Sequence, residues 1–240
     1  MDWKVIKKGF VMLGLAVGLT ACGKALTSVE FQAEITGEMN RLNSYHILVT
    51  LADYKTEDTT KSAPAIPESE TIANAVFIAD NGGNGTRIDK VNGAVKNQME
   101  VIADASKGMI RYHQNPWEET VTPISSLMNI VIYPYRTIAQ FTQAISSDVE
   151  WKVEQSGYRM RFQGSNEKVR SALENVLAIQ LPESTNIELD MLASKETHRI
   201  ESVHIKTIQA LEDKKTSQIK EIVIQYNGFD QQEPLALPKN

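Results

Sequence analysis

Apolar positions recur at helical spacing at Phe31, Ile35, Met39 and Leu42. Thr27 or Ser28 is placed to cap that helix, with Glu30 or Glu34 near its positive end. Asn43 and Ser44 end it, and the period drops to two: Tyr45, Ile47, Val49 and Leu51 alternate with more polar neighbours, as in a half-buried strand. Residues Lys55 to Glu70 carry Pro64 and Pro67 with no apolar period, which predicts a long flexible loop. Thr71 to Ala79 reads as a second strand, and Asn81-Gly82-Gly83-Asn84-Gly85 as a turn cluster. Val95, Met99, Val101 and Ala103 form another alternating run, turning at Ser106-Lys107-Gly108 into a hairpin partner from Met109 to His113. Asn115-Pro116-Trp117 breaks that strand.

Thr122-Pro123 opens a short helix holding Ile124, Leu127 and Met128, and Arg136 to Ser146 predicts another, with Ile138, Phe141 and Ile145 on one side. Val149, Trp151 and Val153 alternate, Ser156-Gly157 turns, and Tyr158, Met160 and Phe162 alternate back against Arg159 and Arg161. Ser165 or Asn166 caps the clearest helix, with Val169, Ala172, Leu173, Val176 and Leu177 inward and Pro182 beyond its end. Three strands close the chain: Asn186 to Ser194, Arg199 to Leu211 and Gln218 to Gln225. Hairpin-linked strands with helices inserted between them predict an α+β fold, one curved antiparallel sheet with helices against one face.

The pattern ahead of the first helix is different. Lys4, Lys7 and Lys8 precede an almost wholly apolar run from Gly9 to Ala21, too short for the ~20 apolar residues that span a bilayer. It has the form of a secretory signal segment. Leu19-Thr20-Ala21-Cys22 ends the run and holds the chain's only cysteine. It resembles the lipobox of bacterial lipoproteins. That resemblance implies removal of residues 1–21 and a thioether diacylglycerol on Cys22, which becomes the lipidated N-terminus. A lone cysteine in an exported chain has no disulfide partner within it, and acylation gives the thiol a purpose. Each buried methylene contributes about 0.8 kcal/mol, so two or three acyl chains hold a domain on a membrane. Residues 22–26 form the tether; extended chain spans at most ~3.6 Å per residue, so the domain sits within roughly 15 Å of the membrane. The expected location is the outer face of the cell membrane. In a Gram-negative cell it would be the outer membrane, because Gly23 replaces the aspartate associated with inner-membrane retention.

Charge narrows the function. The 240 residues hold 25 basic and 30 acidic side chains, net −5. Lys4, Lys7, Lys8 and Asp2 lie in the removable segment, so the remainder is more acidic still. Such a balance argues against nucleic acid, which needs clustered Lys and Arg, and leaves attachment to the acyl anchor. Asp80, Asn84 and Gly85 match part of a calcium loop, but Gly82 and Val91 stand where ligands are needed, so Asp80 to Val91 reads as a turn loop. The same glycines lack the Lys-Ser/Thr of a phosphate loop. His46, His113, His198 and His204 have no metal-ligand spacing, and no nucleophile elbow occurs. The expectation is no enzyme, no cofactor and no metal. Trp117 reads as a ring closing one end of the core, the alternative being a lid.

The order of elements resembles the LolA/LppX-like lipoprotein superfamily, in particular a group of Gram-positive lipoproteins. The carriers are the lipobox close before a helix ending in Leu42-Asn43-Ser44-Tyr45, and the Met99 to Tyr112 hairpin with Trp117 just beyond. Tyr158-Arg159-Met160-Arg161-Phe162 before a helix, Tyr226-Asn227 at the last strand's end, and a tail with Pro234 and Pro238 complete the set. The resemblance implies a half-barrel, a strongly curved antiparallel sheet with helices on its concave face, over residues 27–229, followed by a tail at 230–240. It also implies an apolar cavity between sheet and helices that holds a lipid or acyl chain. On this chain the alternating strand faces supply the ligand-binding candidates: Ile47, Val49, Leu51, Met99, Val101, Trp151, Val153, Met160, Phe162, Ile222 and Ile224. Each taken alone reads first as ordinary core. The expected partners are a lipid or other apolar small molecule and the membrane, with an envelope protein as a further partner of a monomer. The alternative function is a surface lipoprotein without a ligand cavity that binds a protein through the Lys55–Glu70 or Asn81–Gly85 loops.

Overall fold

The computed structural model describes residues 26–57, 66–79, 82–211, 215–233 and 236–238. Cys22 and the segment before it therefore lie outside the described residues, as does Asp80. The chain opens with α1 (Ser28–Arg41), held by a capping box in which Thr27 and Glu30 satisfy each other's backbone amides. Six strands follow: β1 (Ser44–Thr56), β2 (Ser69–Ile78), β3 (Gly82–Val91), β4 (Ala94–Ala103), β5 (Gly108–Tyr112) and the two-residue β6 (Glu118–Glu119). Then come α2 (Pro123–Val131) and α3 (Tyr135–Ile145), β7 (Glu150–Val153) and β8 (Gly157–Gly164), α4 (Glu167–Leu177), and β9 (Asn186–Ser194), β10 (Ile200–Ala210) and β11 (Ser217–Asn227). Asn166 caps α4 through the amides of Lys168 and Val169.

The fold is α+β. All eleven strands form one antiparallel sheet in the order β6-β5-β4-β3-β2-β1-β11-β10-β9-β8-β7. It is open, with β6 and β7 at its edges. The first and last long strands meet at its centre, paired from His46↔Asn227 to Thr56↔Ser217.

Two expectations need correction. The glycine cluster is not a free loop: Gly82 to Gly85 begin β3, paired with β2 on one side and β4 on the other. The glycines serve close approach. A Cβ on Gly83 would lie 2.0 Å from the Val76 carbonyl oxygen, and one on Gly85 would lie 2.8 Å from Ile130 of α2. The missing side chain of Gly85 lets α2 seat on the sheet, and that of Gly83 lets β2 approach, so packing overrides the local turn signal. The Lys55–Glu70 loop is also shorter than expected, because β1 runs to Thr56 and β2 begins at Ser69; residues 58–65 lie outside the described residues.

Strand register sorts the side chains into cross-sheet rows. One row runs Met99, Arg87, Ala73, Val49, Ile224, Val203, Met191, Met160, Trp151. The next runs Asp89, Thr71, Leu51, Ile222, Ile205, Leu189, Phe162. This inner face and the apolar sides of the helices belong to one buried cluster. Phe31 of α1 packs on Trp151 and Tyr158, with ring centroids 4.6 and 4.8 Å apart. Thr142 of α3 reaches the Met191 sulfur. Each fully buried Ile, Leu or Phe in such a cluster contributes roughly 1.5–3 kcal/mol.

Candidate functional site

One end of the inner face is closed by aromatic rings. Tyr45, Tyr135, Tyr226, Phe77 and Phe229 pack with centroids 5.3–6.1 Å apart. Their hydroxyls meet backbone groups: the Tyr135 amide donates to the Tyr45 oxygen, the Ile200 amide to the Tyr135 oxygen, and the Tyr226 hydroxyl to the Tyr133 carbonyl. Burial pushes the Tyr45 and Tyr135 phenols up to about 12, against hydrogen bonds that act the other way. Outside this cluster Arg199 bonds Glu38 at 2.8 Å and Asp230 at 2.7 Å. Asp230 also accepts from the Asn43 and Ser44 amides. The first residue assigned to the tail is thus fastened to the start of β1.

The other end is open. A cleft of about 320 Å³ is lined by Leu51 and Asp53 of β1, Lys220 and Ile222 of β11, Tyr133 from the α2–α3 connection, and Ala178, Ile179 and Gln180 beyond α4. That volume is at the lower end of the range for small-molecule sites. Each wall has a local cause. Ala178 takes the left-handed conformation at the α4 C-cap (φ 56°), and the Ile179 amide bonds back to the Leu173 carbonyl. Ile132 is more strained: φ 53° and ψ −61° form a tight turn closed by the Tyr133 amide on the Val131 carbonyl at 2.6 Å. A β-branched residue rarely adopts positive φ, and such strain gathers at functional segments. Burial pushes the Tyr133 phenol up to about 12.

The cleft straddles a polarity border. Beyond the apolar row of Leu51, Ile222 and Ile205, the next row is Ser69, Asp53, Lys220 and Thr207. Asp53 accepts from the Ser69 hydroxyl at 2.9 Å and faces the Lys220 ammonium at 3.8 Å. A smaller, separate recess of about 60 Å³ shares Gln180 and Lys220 with it and is lined also by Leu181, Thr185, Thr207, Gln209 and Gln218. The arrangement suits an amphiphile, with apolar surface first and hydrogen-bonding groups behind.

All eleven residues expected at a ligand lie on this one face, as the register requires. Ile47, Val49, Met99, Val101, Met160, Ile222 and Ile224 are buried in the continuous core. Leu51, Trp151 and Phe162 are partly buried against it, and Val153 at the β7 edge is 41 % exposed. Only Leu51 and Ile222 of the eleven line the cleft. Asp53, Tyr133, Ile179, Gln180, Lys220 and Thr185 were not foreseen. Extending the strand alternation by one step would have found Asp53 after Leu51 and Lys220 before Ile222; the others sit in connections that have no period.

A larger concavity, about 610 Å³, lies mainly across Arg161, Glu188, Asp190 and His204, and its lining also takes in Leu189 and Phe162, the latter one of the eleven expected ligand residues. Asp190 there is held by Arg159 at 2.8 and 2.9 Å and by Arg161 at 3.1 Å. Burial would raise the Asp190 carboxyl, but these guanidiniums hold it below its ordinary value. We read this as a solvated ion-pair ladder on the outer face. Trp117 lies under the Arg111 guanidinium at 4.7 Å rather than in the core cluster. His46 sits between Asn74 and Asn227. Among the described residues, no three His, Cys, Asp or Glu side chains converge on a metal position, and no helix is long and apolar enough to cross a membrane.

No protein-family model matches the chain, and no curated protein matches it.

Proposed function

We propose that this chain is a LolA/LppX-like lipoprotein, anchored to the membrane through acylated Cys22, that carries or senses an apolar ligand, a lipid or acyl chain, without enzymatic activity. The half-barrel shape is part of the proposal. Open sheets of more than about ten strands curl. The bulges between Asp89 and Lys90 and between Ile200 and Ser202, and the glycines of β3, supply places to bend. The helices would then fill the concave side.

The observation that carries the reading is the cleft over Leu51 and Ile222. There the apolar face opens beside the α2–α3 connection and the residues beyond α4. Burying ~300 Å² of acyl surface there contributes about 7 kcal/mol before ordering costs. That extracts a tail from water but not decisively from a bilayer, so exchange is reversible. The test is transfer of a fluorescent acyl chain between vesicles by the full-length protein. Leu51→Trp, which fills the cleft, abolishes transfer; transfer that survives it, or never occurs, overturns the reading.

A second reading, a protein-binding surface lipoprotein, rests on one feature. Ile66, Val91 and Val95 are exposed together at the β3–β4 hairpin end, beside the first of the two loops expected to bind a protein. In that case Val95→Asp removes partner binding and Leu51→Trp is silent.

A further inference from the structure

We propose that the recess behind the cleft recognises an uncharged head bearing an O–H or N–H, an alcohol or primary amide, on the amphiphile whose tail lies over Leu51 and Ile222. This rests on the ligand-carrying reading above and adds the chemistry of the head.

Thr185 is 1 % exposed, lines the recess, and its hydroxyl has no hydrogen-bond partner. Native proteins rarely leave such a group unrelieved. Asp53 lines the adjoining cleft, and its Oδ1 accepts no hydrogen bond, having only the Lys220 ammonium 3.8 Å away. The two cavities share Gln180 and Lys220 and so lie side by side, and the proposal places the tail in one and the head in the other. The Asp53 carboxylate only accepts, so the ligand must donate. Charge sets the rest. Lys220 faces Asp53 at 3.8 Å, and the other polar residues lining the recess are amides and hydroxyls. An anionic head would be repelled by Asp53, and an ammonium head by Lys220. A neutral donor–acceptor head meets neither penalty, and the 60 Å³ recess is sized for one such group. Water is the competing occupant.

The test uses the full-length chain in lipid nanodiscs and tail-photoactivatable decyl probes that differ only in the head: alcohol, primary amide, methyl ether, carboxylate or trimethylammonium. Crosslinking to peptides bearing Leu51, Ile179 or Ile222 is normalised to labelling of the nanodisc lipid. Alcohol and amide heads are expected to label the cleft about tenfold more than the other three, the effect of one satisfied hydrogen bond. Thr185→Val removes that preference while leaving the thermal midpoint unchanged or higher, because it deletes an unpartnered hydroxyl. Equal labelling by all heads overturns the head assignment and leaves ligand carriage standing. Preference for the carboxylate overturns it in favour of anion reading by Lys220. A Thr185→Val chain with a lower midpoint and an unchanged preference assigns the recess to structural water, which also overturns it. No cleft labelling by any probe overturns both readings.

Discussion

The two ends of strands β1 and β11 offer the same inner face to very different surroundings. At Tyr45 and Tyr226 the face is sealed by interlocking rings, and its phenol oxygens bond the backbone of the α2–α3 connection and of β10. Six residues along β1, about 20 Å at strand rise, Leu51 borders a cleft where Asp53 Oδ1 accepts no hydrogen bond, beside the recess where the Thr185 hydroxyl has no partner. One end is finished by its own side chains; the other, on our proposal, is completed by a ligand. Mutations should therefore separate the ends: large losses of stability at the first, and small losses with large changes in loading at the second.

The largest effect is expected at the sealed end. Tyr135 is 1 % exposed and touches β1, β10 and β11. Tyr135→Ala should cost about 3–5 kcal/mol in denaturant unfolding, through the cavity left behind. Arg199→Met follows at about 2–3 kcal/mol, because Glu38 and Asp230 lose their charged partner. Its loss should shrink in acid. Burial alone would raise the Asp230 carboxyl, but the Asn43 amide and Arg199 hold it below its ordinary 3.8. That contribution is present above pH 4 or so and disappears as pH falls through the lowered value. The tyrosines give the opposite limb. Their folded values near 12 stand above the ordinary 10.0, so stability is level below pH 10 and declines between pH 10 and 12. The tyrosinate absorbance of these buried residues should then appear together with unfolding. Tyr226→Phe, which removes a single bond to the Tyr133 carbonyl, should cost about 1 kcal/mol. The smallest stability effect is expected from Leu51→Trp at the cleft, within ~1 kcal/mol of the parent, with loading abolished.

How much was legible in the sequence follows the same division. Where side chains alternate or repeat at helical spacing and face one core, the elements could be read directly. The ninth strand, Asn186–Ser194, matches its expected bounds, and Thr27 and Asn166, each one of two candidates, are the caps. Reading failed where tertiary packing reversed a local signal. Gly82 to Gly85 have turn composition, yet they pair in β3, where a Cβ on Gly85 would strike Ile130 of α2 and one on Gly82 or Gly83 would strike the Ala103 or Val76 carbonyl of a neighbouring strand. Arg87 and Asp89 face inward as an ion pair, with Arg87 also reaching the Asn129 carbonyl of α2, and so hide the strand's alternation. The inner face itself was identified by period, but period cannot distinguish a face packed by helices from one open to a ligand. The cleft depends on the strained turn at Ile132 and the left-handed cap at Ala178, neither of which has a signal in composition.

On our proposal the open end of the face holds a ligand. Native mass spectrometry of the full-length protein, extracted from its own membrane, should then show a bound apolar species beyond the mass of the acylated chain, lost in Leu51→Trp; a wild-type chain that flies empty and at the same mass as the variant, apart from the substitution, would overturn it.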